Sequence, residues 1–184
     1  MNLLTGLILA MALVLPHDAP DVAVSAPGAE HPATAMMLRN VALGYAERGQ
    51  YVRAEATAKC ALATLEAWFG GNDVSLTPVL NVLTETYAAQ GRLIDARRVA
   101  MRAVEIGPGA EVHYATALHN AGAVFEMMGD FENARTYYKH ALLERETWLG
   151  TGHPYVALTR AAVARVEVGP RSAAKSSQRS RLVD

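Results

Sequence analysis

The composition of this chain argues against several classes of protein. It has 184 residues, 19% of them charged, and a formal net charge of −1, so nothing in it suggests the clustered Lys and Arg of a nucleic-acid surface. Its single cysteine, Cys60, excludes an intrachain disulfide and a structural zinc site built from several thiolates. Stability must therefore come from packing.

An uncharged apolar run over residues 3–15 comes first along the chain. It is short for a membrane-spanning helix, which needs about 20 residues, and it fits the hydrophobic region of a secretory signal peptide. Small side chains predict cleavage before Ala26, although no Lys or Arg precedes the run. We therefore expect residues 1–25 to be a signal peptide, residues 26–32 to be a flexible spacer, and the mature protein to be secreted or periplasmic. An uncleaved membrane anchor and a buried helix are the alternatives.

Three short phrases indicate an internal repeat. GQYVRA, GRLIDA and GDFENA begin at Gly49, Gly91 and Gly129, and each has a large residue two positions and Ala five positions after the glycine. The intervals, 91 − 49 = 42 and 129 − 91 = 38, add up to the 80 residues that separate Trp68 from Trp148. Each of these tryptophans lies in a Glu-x-Trp-large apolar-Gly phrase, which therefore belongs to the first and third copies of one longer unit.

Each copy has helical periodicity on both sides of its glycine. The residues before the glycine are Leu38, Val41, Ala42 and Tyr45 in the first copy, Leu80, Leu83, Thr84 and Tyr87 in the second, and Leu118, Ala121, Gly122 and Phe125 in the third. The residues after it are mostly small: Ala54, Ala58 and Ala61, then Ala96, Ala100 and Ala103, then Ala134, Tyr138 and Ala141. Small side chains at this spacing let antiparallel helices approach closely, so each copy predicts one helix pair.

These residues resemble the tetratricopeptide repeat over positions 32–168, and the third copy matches best. The long period and the phrase WLGTGHPYVAL, which begins at Trp148, resemble the kinesin-light-chain-like branch of that family. The residues that depart from the usual pattern are Ala42, Thr84, Ala58 and Ala100. Each of them either replaces one small side chain by another or reduces the volume of the core, and the expected fold is unchanged.

The resemblance implies an all-α fold, a right-handed α-solenoid of three helix pairs followed by one C-terminal capping helix. Within a repeat domain over residues 33–168, the repeats are expected at 33–70, 75–108 and 111–150, and the capping helix at 154–168. Gly169-Pro170 predicts the end of that helix. Residues 169–184 are expected to form a disordered basic tail.

The two tryptophans are expected to act mainly as spacers and core residues. Trp68 and Trp148 come near the ends of long second helices, where each can pack against the first helix of the next repeat. Burying such a ring contributes roughly 2–3 kcal/mol. Stacking on a ligand is the alternative role.

The sequence carries no recognisable catalytic motif. It lacks a Gly-rich phosphate loop, a zinc-protease motif and a nucleophile elbow. His113 and His119 are six residues apart and do not share a helix face, and Cys60 has no basic neighbour fixed by the pattern. The sequence therefore predicts a protein that is not an enzyme and that uses no metal or cofactor.

The resemblance also implies a concave groove lined by the first helix of each repeat. By register, the residues expected to bind a peptide there are Arg39, Leu43, Glu47, Asn81, Glu85, His119, Met127 and Arg165. The same register adds Met36 and Leu158. Asn40, Asn81 and Asn120 form a partial asparagine ladder, and amides can either hydrogen-bond a peptide backbone or tie adjacent helices together.

The predicted function is a non-enzymatic adaptor that binds a peptide segment of another protein. One alternative is a membrane-tethered or self-associating scaffold, and another is an accessory subunit that regulates an enzyme. No nucleic-acid partner is expected, and contact with a membrane is expected only if residues 1–25 are not cleaved.

Overall fold

A computed structural model describes residues 31–180, and their side chains from 31 to 168. These residues form seven α-helices and one short 3-10 helix, with no β-strand among them. The helices are α1 (Pro32–Glu47), α2 (Tyr51–Phe69), α3 (Thr77–Ala89), α4 (Leu93–Ile106), α5 (Val112–Met127), α6 (Phe131–Leu149) and α7 (Pro154–Ser180), and the 3-10 helix Val74–Leu76 precedes α3. The predicted all-α architecture of three helix pairs and a final helix is confirmed.

Local chemistry explains where the first helices start and stop. His31 precedes α1 and His153 precedes α7, and the Nδ1 atom of each accepts a hydrogen bond from the backbone N–H two residues on, at 3.1 and 3.2 Å. The next residue is Pro in both places, where its missing N–H costs nothing. Gly49, Gly91 and Gly129 end the first helices with φ of 73°, 72° and 80°, a conformation that favours glycine.

Alanines at the centre of each helix pair let its two helices meet closely. The fully or almost fully buried ones are Ala54, Ala58 and Ala61 of α2, Ala96, Ala100 and Ala103 of α4, and Ala134 and Ala141 of α6. Larger side chains of the first helices, such as Leu80, Leu83 and Leu118, are buried beside them. Each pair also packs on the next, and the buried side chains form two clusters, one from α1 to α5 and one that joins α5, α6 and α7.

The third helix pair is packed differently from the second, because one large side chain fills most of the space between its two helices. Gly122 of α5 lies against Tyr138 of α6, which is 1% exposed, and a Cβ atom at Gly122 would lie only 2.8 Å from Cδ1 of that ring. The corresponding positions of the second pair are Thr84 and Ala100. One large ring in the third pair thus takes the space that two modest side chains share in the second.

The final helix differs from the sequence prediction. We expected it to end at Val168, before Gly169-Pro170, whereas α7 continues to Ser180. Proline removes one backbone hydrogen bond from a helix but does not always end it, and each further residue of an established helix adds a bond. The residues after Pro170 include Ala, Lys, Gln and Arg, which favour helix.

No helix among residues 31–180 is both long and apolar enough to cross a membrane. The apolar run at residues 3–15, which carries the predictions of a signal peptide and of an alternative anchor, lies outside the described residues, as does the predicted spacer up to residue 30.

Candidate functional site

The first helices α1, α3, α5 and α7 lie side by side. Helix α3 packs against both α1 and α5, and side chains of α5 bond directly to α7. The second helices α2, α4 and α6 each pack against the first helix of their own pair. We refer to the side formed by α1, α3, α5 and α7 as the first-helix surface, and the predicted groove residues belong to it.

Three helices bring polar groups together at one end of this surface. Asn81 of α3 is 5% exposed, and its Nδ2 donates a hydrogen bond to the backbone carbonyl of His113 in α5, at 2.9 Å. Burial lowers the pKa of His113, and the positive charge of Arg39 in α1 lowers it further. Arg39 of α1 therefore acts electrostatically on a residue of α5, across α3.

Two atoms in this cluster are buried without a hydrogen-bond partner in the described part of the chain. They are Nε of Arg39, which is a donor, and Oδ1 of Asn81, which is an acceptor. A buried polar atom left unpaired typically costs about 1–3 kcal/mol. The cluster thus holds unused bonding capacity of both kinds.

Glu85, one turn after Asn81, combines exposure with desolvation. Its side chain reaches solvent, yet the surrounding protein raises the pKa of its carboxyl. The carboxylate therefore opens to water on one side while protein groups surround it on the others. Nδ2 of Asn120 in α5 donates to its Oε1 at 2.9 Å, and this hydrogen bond offsets part of the rise in pKa.

A second polar cluster joins α5 to α7. The guanidinium of Arg165 in α7 donates to both carboxylate oxygens of Glu126 in α5, at 2.6 and 2.7 Å. The hydroxyl of Tyr138 donates to Oε2 of the same carboxylate at 2.8 Å. Burial alone would raise the pKa of Glu126, but these hydrogen bonds outweigh it and hold that pKa below its usual value. The Arg165 guanidinium is therefore already paired.

His119 belongs to the same cluster and is neutral at physiological pH. Its Nδ1 lies 3.3 Å from Oγ1 of Thr159 in α7, and its ring lies 5.1 Å from the ring of Tyr138. Burial lowers the pKa of His119 to about 4, and the charges of Arg145 and Arg165 act in the same direction.

The structure divides the predicted groove residues into two groups. Asn81, His119 and Arg165 bond to neighbouring helices, and Leu43 packs against the core. Those that offer exposed or unpaired groups are Arg39, Glu47, Glu85 and Met127, with Met36 and Leu158 from the same register. Of the three asparagines, Asn81 and Asn120 tie helices together, while Asn40 is exposed.

The expectation that both tryptophans are core residues is wrong. Trp68 is 56% exposed and Trp148 is 52% exposed. Trp68 lies beside His31, with ring centroids 5.7 Å apart, so it contacts the start of the first helix of its own repeat. The indole N–H of Trp148 donates to Glu144 of its own helix, at 3.2 Å.

The glutamate of the repeated tryptophan phrase has a role that sequence reasoning missed. Glu66 pairs with Arg102 of α4 at 2.5 Å, and Glu146 pairs with Arg160 of α7 at 2.7 Å. Each glutamate therefore links its helix to the following repeat. The signal was available, because the glutamate recurs two residues before each tryptophan.

Arg145 also escaped the sequence reasoning, because nothing in the sequence distinguishes it from the exposed arginines. It is 4% exposed, and its guanidinium donates to the backbone carbonyl of Tyr155 at 3.1 Å and to the hydroxyl of Thr159. It therefore fastens α7 to α6 from the inside.

No group of three or more His, Cys, Asp or Glu side chains in the described residues could hold a metal ion. The polar clusters above bond neighbouring helices to one another. The first-helix surface has exposed apolar groups and carries both cationic and anionic side chains.

These features define a class of protein, the α-solenoids whose stacked helix pairs present a surface for other proteins. A sequence profile described as tetratricopeptide repeat matches residues 33–108 and 113–169, so the chain belongs to the tetratricopeptide repeat family. Repeats of this class typically serve as protein-interaction modules rather than as enzymes. Among curated proteins, no relative matches the chain.

Solved structures with the same fold include two crystal structures of kinesin light chain-like repeats from Podosopora anserina. One, of a point variant, has a TM-score of 0.62 at 18% sequence identity, over 80% of this chain and 72% of that one. The other has a TM-score of 0.61 at 18% identity, over 83% of this chain and 74% of that one. The predicted likeness to kinesin-light-chain-like repeats is thereby confirmed at the level of fold.

Proposed function

We propose that the first-helix surface binds an extended peptide segment of another protein, so that the chain acts as an adaptor. The observation that carries the proposal is the set of accessible groups on the first-helix surface: Arg39, which makes no ion pair among the described residues, the exposed Glu85, and the exposed Met36, Met127 and Leu158.

Apolar groups beside the polar ones support the same proposal. Met36, Met127 and Leu158 belong to the first-helix surface and are 36%, 53% and 55% exposed. Methionine side chains adapt to partners of varied shape, and covering such groups on binding removes apolar area from water. Exposed apolar groups on the same surface as charged ones suit recognition of an extended chain.

A displayed library of random peptides, selected on the full-length chain, tests this proposal without knowledge of the natural partner. We expect enriched peptides to bind the double variant Arg39→Ala with Met127→Ala at least about tenfold more weakly than the wild type, a loss of about 1.4 kcal/mol. Fluorescence anisotropy with labelled peptides gives the affinities. Asn81 is left unchanged because it ties α3 to α5.

The matched control removes an arginine and a large apolar residue from the opposite side of the molecule. Arg98 and Ile94 lie on α4, with 71% of the Arg98 side chain and 66% of Ile94 exposed. Replacing both by Ala should leave peptide affinity unchanged, and circular dichroism melts should show both double variants folded. Equal losses in the two variants, or no enrichment of any peptide, would contradict binding at the first-helix surface.

The proposal includes secretion or export to the periplasm. It is supported by the apolar run at residues 3–15 and by the small residues before Ala26. We expect intact-mass measurement of the protein from its native host to give a mature chain beginning at Ala26. A mass that retains Met1 would contradict cleavage and favour the membrane-tethered alternative.

A further inference from the structure

Arg39 and Glu85 are opposite charges on neighbouring helices, and neither has a counter-ion among the described residues. Neither Arg39 nor Glu85 makes an ion pair there. Several other glutamates do, namely Glu55, Glu66, Glu126, Glu132, Glu146 and Glu167. Glu85 accepts one hydrogen bond from a neutral amide, that of Asn120. By contrast, Arg165 of α7, another predicted groove residue, is paired with both carboxylate oxygens of Glu126.

The surroundings make both charges costly to leave unpaired. Nε of Arg39 is buried without an acceptor in the described part of the chain, and the carboxyl of Glu85 has a raised pKa because the protein desolvates it. An opposite charge brought by a ligand would act in a partly desolvated surface, where ion pairs are stronger than in bulk water. The first-helix surface thus has one position suited to an anion, at Arg39, and one suited to a cation, at Glu85.

The repeat fixes the distance between these points. Arg39 has the same position in its repeat as Asn81, since 81 − 39 = 42, and Glu85 lies one turn further along α3. Adjacent helix axes are about 8–10 Å apart and a turn rises about 5–6 Å, so the two sites are separated by about 10–12 Å. An extended chain covers about 3.3 Å per residue, and about three or four residues span that distance.

We propose that the peptide segment bound by this surface carries an acidic and a basic side chain three or four residues apart, the first held by Arg39 and the second by Glu85. This inference rests on the proposed function. It adds a charge pattern to a groove that would otherwise accept any extended apolar segment.

The peptides enriched on the full-length chain test the pattern directly. Sequencing should show Asp or Glu and Lys or Arg at a spacing of three or four in most binders. A synthetic binder with its two charges exchanged should bind the wild type at least tenfold more weakly. The double reversal Arg39→Glu with Glu85→Lys should restore binding of the exchanged peptide and lose the original one.

Two further variants separate charge recognition from folding. Glu85→Gln keeps an acceptor for Asn120 and should remove the preference for a basic residue while leaving that for an acidic residue intact. Arg98→Glu on α4 should leave both preferences unchanged. Enriched peptides without the charge pattern would overturn this inference and leave the proposed function standing, whereas failure to enrich any peptide would overturn both.

Discussion

Replacing Gly122 by Ala should destabilise the protein, although alanine is the better helix former. The new Cβ would lie 2.8–3.0 Å from three atoms of the Tyr138 ring. That ring cannot easily move, because it is 1% exposed, its hydroxyl is bonded to Glu126, and it lies against His119. Overpacking of this kind costs about 1–3 kcal/mol, and the helix-propensity gain of about 1 kcal/mol offsets only part of it.

Gly44 provides the matched control, because it is also a glycine inside a first helix. A Cβ there would meet only Nη1 of Arg48, at an ordinary 3.5 Å. Gly44→Ala should therefore raise stability by up to about 1 kcal/mol. For a domain of this size a change of about 1 kcal/mol moves Tm by roughly 2–4 °C, so melts should show shifts of opposite sign. A Gly122→Ala variant as stable as the wild type would contradict the packing at Tyr138.

Acidification from about pH 6.5 to about pH 4.5 should destabilise the fold through His119. Its pKa is about 4 when folded and near 6.5 when unfolded, so the unfolded chain takes up the proton first. The stabilisation is fully present above pH 6.5 and is lost as the pH falls towards 4. The difference between the two pKa values sets an upper bound of about 3 kcal/mol.

Other groups titrate nearby and define the controls. Burial also lowers the pKa of His113, so this residue too destabilises the fold as the pH falls. The pKa of Glu85 is raised in the folded chain, so its protonation on acidification stabilises the fold. The contribution of Glu126 is lost only below its usual pKa of 4.5, outside the window.

Urea unfolding at several pH values distinguishes these contributions. His119→Asn, which installs the residue that the second repeat has as Asn81, should flatten the pH dependence across this window. His113→Asn should flatten it less, and Glu85→Gln should steepen it. The same slope for His119→Asn and the wild type would contradict the assignment, whatever the absolute stability of the variant.

The helix pairs could be predicted from sequence because their signals are local and repeated. Small residues four and three apart and glycine after each first helix recur in all three repeats, proline stands at the starts of α1, α3 and α7, and the structure has the pairs that these signals predict. The end of α7 could not be predicted in this way. Gly169-Pro170 is a strong local signal, but it does not reveal how an established helix continues past it.

The candidate site was predictable only in part, because register gives a direction and not a partner. Register placed Arg39 and Asn81 together, but it could not show that Asn81 bonds to α5 or that Arg165 is already held by Glu126. Trp68 and Trp148 were misplaced because large apolar residues are usually buried, whereas both lie near helix ends and keep about half of their surface in water. The glutamate of each tryptophan phrase was visible as a repeated residue, but its partner was not, because Arg102, which pairs with Glu66, lies 36 residues further along the chain.

The packing of Tyr138 against Gly122 limits how these repeats can be recombined, whether in evolution or by design. A single helix moved from the second repeat to the third would bring a threonine against a tyrosine, or leave a void between alanine and glycine. The smallest segment that can be exchanged between repeats is therefore a whole helix pair, or helical hairpin, with its ends in the turns that join it to the neighbouring pairs. Libraries that recombine these repeats should place their crossovers between hairpins and never within one.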